Sequence, residues 1–141
     1  MFSKEESRKL REEFWISFGK SYPRKWIMYK TRIKGLSFKF HFDTKKAMVS
    51  IDVEGELGQR IQLWEKLESL KSILTDEFLP DAIFEDYFIL DNQKEISRIY
   101  STLNGVSIHN KNTWQKTMVF LNGHMEKIEE FFLNYKEVLD S

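Results

Sequence analysis

LSFKFHFDTKKAMVSIDV, running from Leu36 to Val53, alternates apolar and polar residues with a period of two on both sides of a short polar interruption. Leu36, Phe38, Phe40 and Phe42 fall on one side of the first half, and Ser37, Lys39 and His41 on the other. Ala47, Val49, Ile51 and Val53 repeat the pattern against Met48, Ser50 and Asp52. A strand with one buried face produces this alternation. The segment therefore predicts an antiparallel hairpin turned at Asp43-Thr44-Lys45-Lys46, with its phenylalanine face packed and its other face open.

The flanks extend this unit. Upstream, Ile27, Tyr29 and Ile33 alternate with Lys30, Arg32 and Lys34 before Gly35, which predicts a further strand from about Trp26 and makes the unit a three-stranded meander. Before it, Ser3 and Glu6 form a capping box, and Leu10, Phe14 and Phe18 recur at helical spacing, predicting a helix from Lys4 to Phe18 that Gly19 ends and Pro23 keeps from resuming. Downstream, Leu63, Leu67, Leu70, Leu74 and Phe78 predict a second helix from Glu56 to Phe78. Ile83 to Leu90 is a nearly continuous apolar run, the pattern of a strand covered on both faces. Glu95 to Leu103 and Val106 to Ile108 read as strands about an Asn104-Gly105 turn. A last helix, capped by Asn112 with Gln115, carries the stripe Trp114, Met118, Leu121, Met125, Ile128, Phe132, Tyr135 and Leu139, which serves as core or as the seam of a homodimer. The whole is a single domain over residues 1–141. Its class is α+β, an antiparallel sheet with helices on one face, in the order α-β-β-β-α-β-β-(β)-α.

Net charge is zero but unevenly distributed. Lys20 to Lys46 holds nine Lys or Arg and one acid, whereas Ala47 to Asp91 holds three Lys or Arg and eleven acids, so the two segments carry +8 and −8. A segment of one sign attracts a partner of the other, here nucleic acid, an acidic protein or the chain's own acidic half. On the predicted meander Lys30, Arg32 and Lys34 share a strand face, Lys39 and His41 lie on the polar side of the next strand, and Arg24 and Lys25 precede them beside Tyr22 and Trp26. These seven cationic residues are the candidate phosphate-tracking face, with aromatics available to stack on bases.

Other chemistry finds less support. With no cysteine, thiolate catalysis, disulfides and cysteine-ligated metals are excluded. No phosphate loop, dinucleotide fingerprint or nucleophile elbow occurs, and no cofactor or metal is expected. His41, His109 and His124 form no H-x-x-H pattern, and solvated or structural roles are expected of them. Asp81, Glu85, Asp86 and Asp91 lack calcium-loop spacing and read as an acidic rim. The order helix, strands, helix is shared with metal-dependent nucleases, for which Glu13, Asp43, Asp52 and Glu54 are the candidate carboxylates. The acid-x-Lys element of those enzymes is missing, because Asp52 is followed two residues on by Glu54. A charged N-terminal stretch and the lack of any apolar run approaching roughly 18 residues predict a cytoplasmic chain with no membrane segment.

Leu10 to Trp15 (LREEFW), Pro23 to Trp26 (PRKW), the FKFHF strand, Leu63 to Leu67 (LWEKL), Ile83 to Asp86 (IFED) and Asn112 to Trp114 (NTW) together resemble a bacterial family catalogued as a domain of unknown function, DUF4268. The resemblance spans nearly the whole chain and carries no catalytic motif. Relatives of this type fused behind nuclease-like domains imply a link to DNA processing or defence. The expected protein is a non-enzymatic interaction module whose basic sheet face meets nucleic acid or an acidic partner.

Overall fold

The computed structural model describes residues 2–141. Helix α1 (Lys4–Ser21) starts at the capping box read from the sequence, Ser3 Oγ accepting from Glu6 N and the Glu6 carboxylate accepting from Ser3 N. It continues through Gly19 to Ser21, because nothing at Gly19 requires a left-handed turn. Strands β1 (Leu36–Phe42) and β2 (Lys46–Val53) form the expected hairpin, pairing Phe38 with Ile51 and Phe40 with Val49. Helix α2 (Leu57–Ser69) stops short of the expected Phe78. Leu70 leaves helical geometry, a single turn α3 (Lys71–Ile73) restarts it, and a wider π turn over Leu74–Phe78 ends in the Leu79 N–H to Leu74 O bond ahead of Pro80. Strands β3 (Ile83–Ile89) and β4 (Glu95–Asn104) form a second hairpin. After a short turn of 3-10 helix at Lys111–Thr113, α4 (Trp114–Leu139) closes the chain; Asn110, rather than Asn112, supplies the side-chain cap, to the 3-10 turn.

The class is as expected, α+β with an antiparallel sheet, but the sheet has four strands in the order β1-β2-β4-β3. Two expected strands are missing. Ile27–Lys34 is a run of turns in which Met28 and Arg32 take left-handed φ values of 50° and 63°. Side-chain bonds to its backbone, one local and one from α4, defeat its strand pattern. The buried Thr31 hydroxyl donates to Leu36 O and accepts from Ile33 N, and the Glu129 carboxylate on α4 accepts from Ile27 N at 2.5 Å. Two backbone bonds, Leu36 N to Ile33 O and Phe38 N to Met28 O, tie this loop to the start of β1. Val106–Ile108 likewise forms no strand; Gly105 leaves the sheet with φ +78° and bonds back to Lys45 O.

The helices lie on the face carrying Phe38, Val49, Ile51 and Ile99. Phe14 of α1 meets Phe42 edge-on at 4.6 Å and Trp114 at 5.4 Å, joining α1, the sheet and α4 in one aromatic contact. Trp64 of α2 packs on Phe84 of β3. The stripe of α4 is used inside the chain: Trp114, Met118, Leu121, Met125, Ile128, Phe132 and Leu139 are buried in this core. β3 departs from the expectation of a strand covered on both faces. It is an edge strand, irregular between Glu85 and Phe88, with most of its side chains partly or fully exposed.

Phe40, expected to be as buried as Phe38, is only half-buried under Trp15, Phe18 and Trp26 at the margin of the core. Phe38→Ala should therefore cost about 3–5 kcal/mol and Phe40→Ala clearly less. Urea unfolding of the two variants checks the order, and equal losses would contradict this placement of the core boundary.

Candidate functional site

Because the pleat alternates, the face opposite the helices carries Ser37, Lys39 and His41 from β1, Met48, Ser50 and Asp52 from β2, and Arg98, Tyr100 and Thr102 from β4. No helix lies over it, yet Asp52 is 0% exposed. Long side chains of the same face cover it. Arg98 grips the carboxylate with two bonds, Nε to Oδ1 at 2.7 Å and Nη2 to Oδ2 at 2.8 Å, and Lys39 Nζ approaches Oδ2 at 3.2 Å. Phe88 of β3 caps the guanidinium at 4.4 Å. Lys39 also donates to Glu54 at 3.1 Å, and Lys94 to the other oxygen of Glu54 at 2.7 Å. Beside this chain of charges, Tyr100 donates to Glu85 at 2.5 Å.

The network sets the ionisation of its members. Partial burial alone would lower the Lys39 ammonium, but Asp52 and Glu54 outweigh it and hold Lys39 above the ordinary lysine value. Burial alone would raise Glu54, but Lys94 and Lys39 hold it below the ordinary carboxylate value. The Tyr100 hydroxyl is pushed up to about 12, first by burial and then by its bond to the Glu85 carboxylate. At the hairpin turn, burial would raise Asp43; its bonds from His41, the Lys45 and Lys46 amides and the Lys46 ammonium instead hold it well below the usual range.

The seven candidate cations divide into two sets. Arg24 pairs with Glu129 at 2.6 Å and lies over Trp26, Lys39 is held by two carboxylates, and His41 bonds Asp43 at 2.7 Å. These three serve the fold. Lys25, Lys30, Arg32 and Lys34 are exposed on the loop before β1 and, among the described residues, make no ion pair. Tyr29, missed as a functional candidate because its register suggested a packed position, stands 71% exposed between them, its ring 5.9 Å from Lys39 Nζ. A depression of about 370 Å³ separates Tyr29, Arg32 and Lys34 from Ser37 and Glu54. At the far end of β1, Lys45 and Lys46 edge a larger groove of about 570 Å³ that crosses the open face over Met48. Gly35, at φ +85°, fixes the near end: its carbonyl accepts from Glu54 N, and a Cβ there would collide with the Glu54 carbonyl oxygen.

The candidate nuclease carboxylates do not share one place. Asp52 and Glu54 converge, but on the Lys39 ammonium. Asp43 lies at the opposite end of β2, and Glu13 on α1 is paired with Lys111 at 2.8 Å. Among the described residues no group of three or more His, Asp or Glu is placed to hold a metal ion. His109 bonds Ser7 and stacks on Phe2, while His124 bonds Asp81 and the Phe120 carbonyl. No described helix is long and apolar enough to cross a membrane. Arg98, Tyr100 and Lys94 were not legible as site residues because they reach Asp52, Glu85 and Glu54 only through strand pairing. Their one local signal is the polar phase of β4, Arg98 and Tyr100 alternating with Ser97 and Ile99.

A family model described as Domain of unknown function (DUF4268) matches residues 10–136. No curated protein and no solved structure matches the chain.

Two outcomes follow from the network. Asp52→Ala leaves Arg98 buried without its partner and should cost about 3–5 kcal/mol in urea unfolding. Lys39 and Tyr100 both have raised values in the folded state, so their contributions are present below their unfolded values, 10.5 and 10.0, and are lost as pH rises through the folded ones. Stability measured against pH should fall above about pH 10, less steeply in Tyr100→Phe. An identical alkaline slope in that variant would separate Tyr100 from the network.

Proposed function

The chain belongs to the DUF4268 family. Since that description carries no activity, we propose from the geometry that the protein is a non-enzymatic nucleic-acid-binding module, which contacts the phosphates of a single strand along the β1 side of its open sheet face. What carries the reading is the set of cations that the fold itself leaves unused, Lys25, Lys30, Arg32 and Lys34, grouped on one anchored loop around an exposed tyrosine. Lysines without internal partners are available to displace counterions from phosphates, and an exposed ring beside them offers a stacking surface. The loop is also preorganised. The buried Glu129 carboxylate holds Arg24 and Ile27 N, and Thr31 locks the path into β1, so little ordering is required of the backbone on binding. From the loop to the exposed Lys45 the cationic track follows the length of β1, about 20–25 Å at roughly 3.4 Å per residue.

This reading moves the binding role away from Arg24, Lys39 and His41, whose side chains are engaged internally, and onto the four unpaired loop cations, with Lys45 extending the track; Lys46 is held by Asp43. It gives Asp52 and Glu54 a structural role, neutralised by Lys39 and Lys94.

The test uses a labelled oligothymidylate and its affinity for the full chain against salt. With four cations engaged, the log–log slope should be about −3, at about 0.7 per phosphate on a single strand. Arg32→Glu with Lys34→Glu should roughly halve that slope and weaken binding of every sequence alike, since phosphate contacts carry no base information. Tyr29→Ala should cost about 1–3 kcal/mol of binding without changing stability. A folded double variant that binds like the parent, or a parent with no affinity at low salt, overturns the proposal.

A further inference from the structure

The two edges of the sheet are not equivalent. The first half of the β1 edge is covered by the basic loop, through Phe38 N to Met28 O, Leu36 N to Ile33 O and the Thr31 hydroxyl to Leu36 O. The other edge, β3, pairs with β4 alone, and no described segment lies along its outer side. Its outward-pointing backbone amides and carbonyls therefore face solvent. Its composition is nevertheless that of a covered strand: Ile83, Tyr87 and Ile89 are large apolar residues left 48%, 69% and 53% exposed. Edges that are merely protected from aggregation carry short polar strands; this one offers three apolar side chains beside unpaired main chain.

Charge narrows what can cover it. From Ser72 to Gln93 there are six acids and no Lys or Arg. Asp81, Glu85, Asp86 and Asp91 belong to β3 or its immediate flanks, and Asp86 stands at the middle of the strand. A second copy added edge to edge with full overlap of the two β3 strands would bring Asp86 against its own counterpart, and like charges directly opposite each other disfavour the pairing. An extended segment carrying Lys or Arg meets neither obstacle.

We propose that β3 is a strand-addition site for an extended basic peptide of a partner protein. The peptide backbone would pair with the free edge of β3, its cations would meet Glu85, Asp86 and Asp91, and its apolar side chains would cover Ile83, Tyr87 and Ile89. Glu85 and Asp86 already accept from Tyr100 and Ser97, which fixes their position, and each retains lone pairs for an incoming ammonium. The site lies across the sheet from the basic loop. It meets the nucleic-acid track where Ile89 and Asp91 line the groove beside Lys45, but uses none of the four loop cations that carry that reading, so either can fail alone.

The probe is a short peptide alternating Lys with Val and Thr, titrated into the isotopically labelled full chain and followed by amide chemical shifts. Expected are shifts concentrated on Ile83–Ile89 and affinity that falls with salt. Tyr87→Lys, at an exposed side chain, should weaken binding by about tenfold while leaving the fold intact. A peptide with Pro in place of Val, lacking the donors for pairing, should bind no better than background. If Tyr87→Lys loses structure, Ile83→Lys carries the same test. The proposal is overturned by equal binding of the Glu counterpart or of the proline peptide, by shifts spread over the acidic helix surfaces without β3, or by concentration-dependent self-association of the parent that Tyr87→Lys abolishes.

Discussion

Asp52 is a carboxylate with no exposure on a face that no helix covers, and much of the molecule is arranged around satisfying it. It lies directly across from Arg98 in the β2–β4 pairing. A slip of one residue at that seam would carry Arg98 to the phenylalanine face and strand the carboxylate among apolar side chains. A buried ion pair of this kind contributes little net stability over an apolar replacement. Its effect is to fix the register of the two central strands, and hence which residues of the two outer strands share a face. Lys39, Glu54, Lys94, Phe88 and Tyr100 follow from it, as the second layer of a sheet that has helices on one side only.

The same constraint accounts for what was readable in the chain. Features generated by neighbours in sequence were legible: the Ser3–Glu6 cap, the Phe38–Ile51 hairpin and the stripe of α4 are all written within a few residues of themselves. Ile27–Lys34 has equally good alternation and is no strand, because Glu129, far along the chain, takes the Ile27 amide, and Thr31 closes a local turn. The β3 run has the composition of an interior strand, but whether a strand is interior depends on the order β1-β2-β4-β3, which alternation does not encode. The candidate cations were identified correctly as charges. What separated the three engaged ones from the four unpaired ones was the position of Glu129, Asp52, Glu54 and Asp43, a tertiary fact.

The +8 and −8 segments cancel only in part. Their contacts are confined to the open face, where Lys39 joins Asp52 and Glu54. Outside that contact the basic loop flanks β1, while Asp81, Glu85, Asp86 and Asp91 flank β3 at the other edge of the sheet and five further acids lie on or beside α2 and the π turn. A chain with no net charge thus presents surfaces of opposite sign at its two sheet edges, which meet where Lys45, Lys46 and Asp91 line one groove. Screening at physiological salt acts over about 8 Å, so the basic loop and the acids along β3 meet their surroundings largely apart, whereas Lys45 and Asp91 share theirs.

The strand order has a consequence for how the molecule assembles in time. Each hairpin closes through a turn of a few residues, but the seam between β2 and β4 joins positions 46 residues apart. Closing a loop of that size costs a few kcal/mol of chain entropy before any seam contact repays it. The hairpins are the early events, and the seam is the late one. On this view the charged pair acts as the closing latch of two halves already formed, and its loss would be felt chiefly as faster unfolding.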